Sequence, residues 1–391
     1  MRNTTNERLV VLGGGVIGLS CAWRAAQDGR MVTLLDPAPG SGASWVAGGM
    51  LAPVTEAWPG EEDLLALGVE SVHRWPGFAA DVGESAGRPA GLRTEGTVVA
   101  ATGSGDRAEL DALAAHLGRL GRPTERLSGR ELRRLEPAIG PDVRGGLSVP
   151  DDLAVDNRAL LAALRAAAEK AGVEFDPRSA RQVREDDGRV TGVHCTEGAD
   201  VDADLVLVCA GAYSAGLHPS LAGLVRPVKG EILRLGRRPG ALPAPRRTVR
   251  ALVDGRPVYA VPRPDDGLVV GATQAETGFD TDVTVGGVRD LLRDVERVLP
   301  GVAEYALLEA AAGLRPGSLD NLPLIGARGP EGLLVATGHH RNGMLLAPVT
   351  ADAVLALLRG EPVPDPARAA DPARFAAADR REPASGSSER R

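Results

Sequence analysis

Three groups of residues in this chain have types and spacings that could do chemistry. The first is Gly13-Gly-Gly15-Val-Ile-Gly18, a G-x-G-x-x-G run, followed by a carboxylate at Asp36. A glycine-rich turn that opens a helix presents free N–H groups to a diphosphate. The second group is Arg315 in Gly-Leu-Arg-Pro-Gly, Tyr259 in Tyr-Ala-Val-Pro-Arg, and Arg341 in His-His-Arg-Asn-Gly. A guanidinium meets a planar carboxylate with two parallel hydrogen bonds, so these residues suit a small acid as ligand. The third group invites a metal or acid–base reading: His339, His340 and the cysteines Cys21, Cys195 and Cys209. The two histidines are adjacent, so in an extended chain they point to opposite sides. No carboxylate or cysteine stands at ligand spacing beside them, and no metal is expected. The three cysteines make no even disulfide set, which fits a reducing cytoplasm.

The first group works only if specific elements hold it. Leu9 to Leu12 is a short apolar run, as expected of a buried parallel strand. A helix fits Val16 to Gln27, with Gly29 as its stop, and Met31 to Leu35 forms a second strand that ends at Asp36. In that frame Gly13 makes the tight turn, Gly15 admits a pyrophosphate and Gly18 lets helix and strand pack closely. Asp36 would accept hydrogen bonds from ribose hydroxyls and repel the 2′-phosphate of NADP. The motif alone does not separate NAD from FAD. Two later runs, 204–212 and 332–338, repeat the pattern of an apolar strand entering a small-residue turn. A helix-like stretch follows over 342–359. The nucleotide-binding domain is therefore expected to be discontinuous. Val258 to Val261 and Gly267 to Val270, set among Gly and Pro turns, suggest a second, mostly antiparallel layer. A small ligand would sit where the two meet.

Composition narrows the function class. Lys+Arg is 45 against Asp+Glu 52, a net charge of -7, which argues against nucleic acid or an anionic membrane as partner. Phe 4, Trp 4 and Tyr 3 are too few for a base-stacking platform. Gly 50 and Pro 29 imply many tight loops. Lysine occurs only at Lys170 and Lys229, although arginine is abundant. Lys229 either forms an ion pair near the ligand or turns a strand. Met1 to Glu7 lacks an apolar signal core. The apolar stretch Met344 to Leu358 is broken by Pro348, Thr350 and Asp352 and is too short to span a bilayer. Residues 361–391, rich in Pro, Ala, Asp and Arg, read as a disordered tail.

At this point the chain resembles the FAD-dependent glycine oxidases of thiamine biosynthesis (ThiO), within the D-amino-acid oxidase and sarcosine oxidase superfamily. The resemblance runs from about residue 8 to 360. Its motifs are the first glycine run, Ala47-Gly-Gly-Met-Leu-Ala-Pro53, Pro227-Val-Lys-Gly-Glu231, Tyr259-Ala-Val-Pro-Arg263 with Val269-Val-Gly-Ala-Thr273, Gly313-Leu-Arg-Pro-Gly317, and the run from Gly338 to Pro348. It implies an α/β plus antiparallel-β fold of the D-amino-acid-oxidase kind. A Rossmann-like FAD-binding domain would take 1–90, 145–225 and 313–360, and a discontinuous substrate domain 91–144 and 226–312. The FAD would be non-covalent. Covalent attachment, seen in sarcosine oxidase relatives through a cysteine, has no candidate after Cys209.

The resemblance also implies roles. Gly13, Gly15, Val16, Ile17 and Gly18 would meet the FAD pyrophosphate. Asp36, where the family usually has Glu, and Pro37 would line the adenosine side. Ala43, Ser44, Gly48, Gly49 and Met50 would run towards the flavin ring, Ala180 would present backbone groups to the adenine, and Gly211 would also touch the cofactor. His339, His340, Arg341, Asn342, Gly343, Met344 and Leu345 would wrap the flavin's pyrimidine edge. Arg315 would pair with the substrate carboxylate, Tyr259 would donate its hydroxyl to it, and Arg341 would lie beside both. No side-chain acid or base is assigned. The implied reaction is oxidative deamination of glycine, with sarcosine or small D-amino acids, by hydride transfer from Cα to flavin N5. It gives an imine, then glyoxylate, ammonia and, with O2, H2O2. The imine would feed thiazole synthesis, with thiazole synthase as a partner, and the enzyme would be a homo-oligomer. The alternative is a D-amino-acid or sarcosine oxidase or dehydrogenase of the same fold. Gln274 stands where family members can carry an apolar residue, so side-chain selectivity is open.

Overall fold

The computed structural model describes residues 7–122 and 124–375. Its first elements are strand Arg8–Leu12, helix Val16–Gln27 and strand Met31–Leu35. The first strand carries no polar face because both faces are covered. Leu9 and Val11 join one core and Val10 and Leu12 another on the opposite side. This strand is central in a sheet ordered Leu324–Ala327, Leu333–Thr337, Leu205–Val208, Arg8–Leu12, Met31–Leu35, Glu174–Asp176. All neighbours are parallel except the first pair. Parallel pairing needs crossovers, and the crossovers supply the covering layers.

One face is covered by helices Val16–Gln27, Glu62–Ala86, Asn157–Lys170 and Gly343–Arg359. The last of these is apolar all round and buried along most of its length, as a helix packed on several sides must be. Residues 340–359 form the one helical stretch among the described residues long and apolar enough to cross a membrane, and most of it lies inside the protein. Pro348 removes a backbone donor from this helix. Nearby, Ser71 Oγ (2.6 Å) and Trp75 Nε1 (2.9 Å) donate to the Leu345 carbonyl. The other face carries a small sheet of Ala180–Asp186, Arg189–Cys195 and Val201–Asp202.

A second sheet of eight strands runs Ala306–Ser318, Val225–Gly236, Leu268–Gly271, Arg256–Pro262, Thr248–Val253, Thr97–Ala101, Gly145–Val149, Glu125–Ser128. It is antiparallel except where Thr97–Ala101 meets Thr248–Val253. Its register sets Val99, Arg250, Tyr259, Gly271, Ile232 and Ala311 directly opposite one another. Residues in such a row share one face of the sheet. The opposite face packs on helices Gly129–Leu135 and Val285–Val298.

Three sequence expectations change. Strand Gly145–Val149 lies in the eight-stranded sheet, so the boundary expected at 145 falls after Val149. Strand Ala306–Ser318 crosses the boundary expected at 313 and belongs wholly to the same sheet. The tail is corrected as well. Residues 365–375 form two 3-10 turns, and Ala367 and Ala370 are buried against the helices. Their small apolar side chains pack, and Arg374 pairs with Asp320 at 2.8 Å. Residues 376–391 lie outside the described residues.

Buried Asp152 holds the loop that follows the short strand Met50–Leu51. It accepts from the N–H groups of Val54 (3.2 Å) and Thr55 (3.0 Å). Burial nevertheless pushes its carboxyl up to about 6. A carboxyl raised on folding favours the protonated protein, so its charge destabilises increasingly as pH climbs from about 4 to about 6. Asp152→Asn should therefore gain on the wild type, by a few degrees in melting temperature, between pH 4 and pH 7. A difference that does not change with pH would contradict the assignment.

Candidate functional site

A cavity of about 1340 Å³ runs between the two sheets. Drug-sized ligands occupy roughly 300–1,000 Å³, so this one has room for a dinucleotide and a small second ligand. One end is lined by Gly13, Gly15, Val16, Ile17, Asp36 and Pro37, with Ala180 and Gly211 beside them. The middle is lined by Ala43, Ser44, Gly48, Gly49 and Met50. The substrate-sheet end carries Tyr259 and Arg315, with His339, His340, Arg341, Gly343 and Met344 from the chain entering the apolar helix.

The glycine run is shaped as its spacing requires. Gly13 has φ +104°, and a Cβ there would lie 2.6 Å from the Cys209 carbonyl oxygen. A Cβ on Gly18 would lie 1.8 Å from the Gly13 carbonyl oxygen. Gly18 thus serves helix–strand packing from behind and does not line the cavity. The helix that begins at Val16 has no side-chain cap from its own Gly15. Ser44 Oγ accepts from the Val16 N–H at 3.0 Å. Asp36 accepts from the N–H of Gly14 (2.6 Å) and of Ala38 (2.8 Å), which fixes the turn while its carboxylate still borders the cavity. Two observations fit a dinucleotide: the helix N-terminus, whose own Gly15 carries no side chain to block a phosphate, and the buried Nδ1 of His340, which has no partner among the described residues.

Residues 43–50 form a ribbon between the two sheets, clamped from both sides. Asn157, at the start of its helix, donates through Nδ2 to the carbonyls of Ser44 (2.9 Å) and Trp45 (2.8 Å). Buried Arg263 donates to the Gly48 carbonyl (2.7 Å) and to Asn157 Oδ1 (3.1 Å). Burial lowers the Arg263 guanidinium to about 10, so it stays charged at neutral pH. Only glycine fits at the contact points. A Cβ on Gly49 would lie 2.1 Å from the Val155 carbonyl oxygen, and one on Gly48 2.8 Å from the Tyr259 ring.

Tyr259 and Arg315 rest on the same face of the eight-stranded sheet. The Tyr259 ring lies over Gly271 and Gly48, and its hydroxyl hydrogen-bonds to none of the described residues. Burial raises its phenol, and the charge of Arg315 acts against that rise. The Arg315 guanidinium lies over Gly230, where a Cβ would stand 2.2 Å from Nη1 and Nη2. It donates to the carbonyls of Lys229 (3.3 Å) and Thr273 (3.2 Å) and pairs with no carboxylate among the described residues. Burial lowers its affinity for its proton. A charge in that condition favours any anion that can reach it.

The other expected residues divide. Arg341 borders the cavity but is engaged by Glu56, at 3.2 Å to Oε2 and 3.2 Å to the carbonyl, and by Glu61 at 3.5 Å. His339 bonds Thr350 Oγ1 at 3.0 Å, and burial holds it down at about 3. His340 is held at about 4, by burial and then by the charges of Arg341 and Arg315. Both are neutral at pH 7. Lys229 is buried and forms an ion pair with Asp280 at 2.5 Å, so it ties down the loop after Ala275. Asn342 and Leu345 do not line this cavity; Leu345 packs in the helical core with its carbonyl taken by Ser71 and Trp75. Glu56, Arg250, Arg263 and Asn157 were not expected. Glu56, Arg250 and Asn157 sit outside any short motif; Arg263 ends the motif that begins at Tyr259, but nothing in that motif shows that it reaches the Gly48 carbonyl. No group of three or more His, Cys, Asp or Glu able to hold a metal occurs among the described residues.

Residues 8–357 match the family model for DAO, FAD dependent oxidoreductase. The bifunctional protein ThiO/ThiG of Trichormus variabilis is 33% identical over 344 residues, covering 88% of this chain and 51% of that protein. The chain thus spans about half the length of that relative. The crystal structure of glycine oxidase from Geobacillus kaustophilus superposes with a TM-score of 0.83 at 31% identity, covering 91% of this chain and 96% of that one. Iminodiacetate oxidase from Chelativorans sp. BNC1 gives a TM-score of 0.82 at 26% identity, covering 93% and 99%. These neighbours share the D-amino-acid-oxidase-like fold described above.

Gly230→Ala isolates the guanidinium's position from its charge. The three atoms nearest the added methyl all belong to the flexible end of Arg315, which it displaces. Melting temperature should change by no more than a few degrees, while the affinity for a small carboxylate such as acetate should fall at least about tenfold, the effect of one lost charge-assisted bond. Undiminished acetate binding would contradict the placement of Arg315.

Proposed function

The chain belongs to the DAO family of FAD-dependent oxidoreductases, and from that premise we propose that it is a glycine oxidase. The observation that carries the substrate class is the half-buried Arg315 guanidinium, which faces the cavity with carbonyl partners and no carboxylate among the described residues. An α-amino acid brings the missing anion. Tyr259 would donate its hydroxyl to the same carboxylate, and the sheet fixes both groups before the ligand arrives. Gly13, Gly15, Val16 and Ile17 would hold the FAD pyrophosphate, Asp36 the adenosine ribose, and the ribbon 43–50 with His339 to Met344 would flank the ring system.

Bound FAD supplies the electron-pair acceptor for oxidation of the substrate's Cα–N bond. The residues supply orientation and electrostatics. Glycine must react as the free amine, and the charge of Arg315 disfavours the ammonium form. His339 and His340 are too weakly basic, at about 3 and about 4, to hold the released proton, so it passes to water. The imine then hydrolyses: glycine, O2 and water give glyoxylate, ammonia and H2O2. Oxygen as acceptor is part of this proposal, as are the cytoplasm as compartment and a homo-oligomeric assembly. The ThiO/ThiG name of one relative supports a place beside thiazole synthesis in thiamine biosynthesis. Sarcosine is a second substrate that the site supports, because the cavity continues past Tyr259 to Val99, Leu113 and Pro257 and leaves room for an N-substituent.

Arg315→Ala tests the substrate assignment. It should keep the yellow flavin spectrum and raise the apparent KM for glycine roughly 10- to 100-fold, the loss of a charged hydrogen-bonded pair. An unchanged KM would overturn it.

A further inference from the structure

Beyond Tyr259, the cavity holds a second cationic cluster, of which the proposed reaction leaves Arg250 and Glu56 without a role. Arg250 stands directly opposite Tyr259 in the sheet register, and its Nη1 meets Glu56 Oε1 at 2.8 Å. Arg341 meets the other oxygen of the same carboxylate at 3.2 Å. Glu56 therefore bridges two guanidiniums on the cavity wall, with its side chain only 12% exposed. Arg341 has Glu61 as a further partner, whereas Glu56 is the one carboxylate that Arg250 contacts among the described residues. Arg250 is three strands from the strand that carries Arg315's perch at Gly230, about 14 Å at the backbone for strands about 4.8 Å apart. Both side chains are long and both line the cavity. That arrangement is a two-headed anion site with one head already occupied by a carboxylate of the protein.

On the reading that Arg315 takes the substrate carboxylate, we infer that Glu56 is a specificity-determining residue. It fills the second cationic subsite and turns away substrates with a second carboxylate, such as iminodiacetate. Removing its charge exposes Arg250 to the ligand, and the like-charge repulsion that excludes a dicarboxylate is lost.

The test uses the flavin-loaded enzyme and two anions that cannot be oxidised, acetate and the five-carbon dicarboxylate glutarate. Binding is read from the change in flavin absorbance, for wild type, Glu56→Gln and Glu56→Ala. Wild type should bind acetate at least about tenfold more tightly than glutarate, since the second carboxylate of glutarate meets the like charge of Glu56. In either variant the glutarate-to-acetate affinity ratio should rise at least about tenfold, and kcat/KM for iminodiacetate relative to glycine should rise with it. A wild type that binds glutarate as tightly as acetate overturns the inference even if neither variant folds. A ratio that does not move in a folded variant also overturns it. Failure of acetate to bind the wild type at all would count against the Arg315 assignment, a separate outcome.

Discussion

The site depends on one placement: a half-buried guanidinium held on the cavity wall without a carboxylate to match it among the described residues. Two carbonyls hold Arg315, both through Nη1, and they leave its charge unneutralised. A partly desolvated charge without a counter-ion favours an anion that can reach it. Arg250 and Arg341 on the cavity wall, and Arg263 behind it, are treated differently. Arg250 and Arg341 are neutralised by Glu56, and Arg263 is spent on the Gly48 carbonyl and Asn157.

The small residues follow from the same constraint. Arg315 can lie flat on the sheet only because position 230 has no side chain, and Tyr259 can lie beside it only because positions 48 and 271 have none. The ribbon 43–50 must pass between two sheets within contact distance of both. Its clamps come from opposite sides, Asn157 from the helical layer and Arg263 from the antiparallel sheet. This ribbon joins the dinucleotide end of the cavity to its substrate end. A shift of either sheet would be felt at both.

Much of this was legible in the sequence, for reasons that can be named. Strand Arg8–Leu12, helix Val16–Gln27 and strand Met31–Leu35 are local, and their signals are apolar runs, glycine spacing and a stop residue. Arg315 and Tyr259 stood out because family motifs surround them, and they do share one face of one sheet. What was hidden is what register decides. Nothing near Glu56 in the chain announces Arg250 or Arg341, which are far away in sequence. Strand Gly145–Val149 could not be assigned to a sheet from its own pattern, since an apolar run fits either. Residues 365–375 read as disordered by composition, yet Ala367 and Ala370 are small enough to pack against the helices. Leu345 lies within a cofactor motif but turns into the core, because a helix shows only part of its circumference to any one neighbour.

The most direct test is the visible spectrum of the purified, FAD-loaded protein before and after anaerobic addition of glycine. The account predicts flavin bands that bleach with glycine and return with air, with H2O2 and glyoxylate formed in equal amounts. Bands that glycine and sarcosine leave unchanged, in a protein that holds FAD, would contradict it.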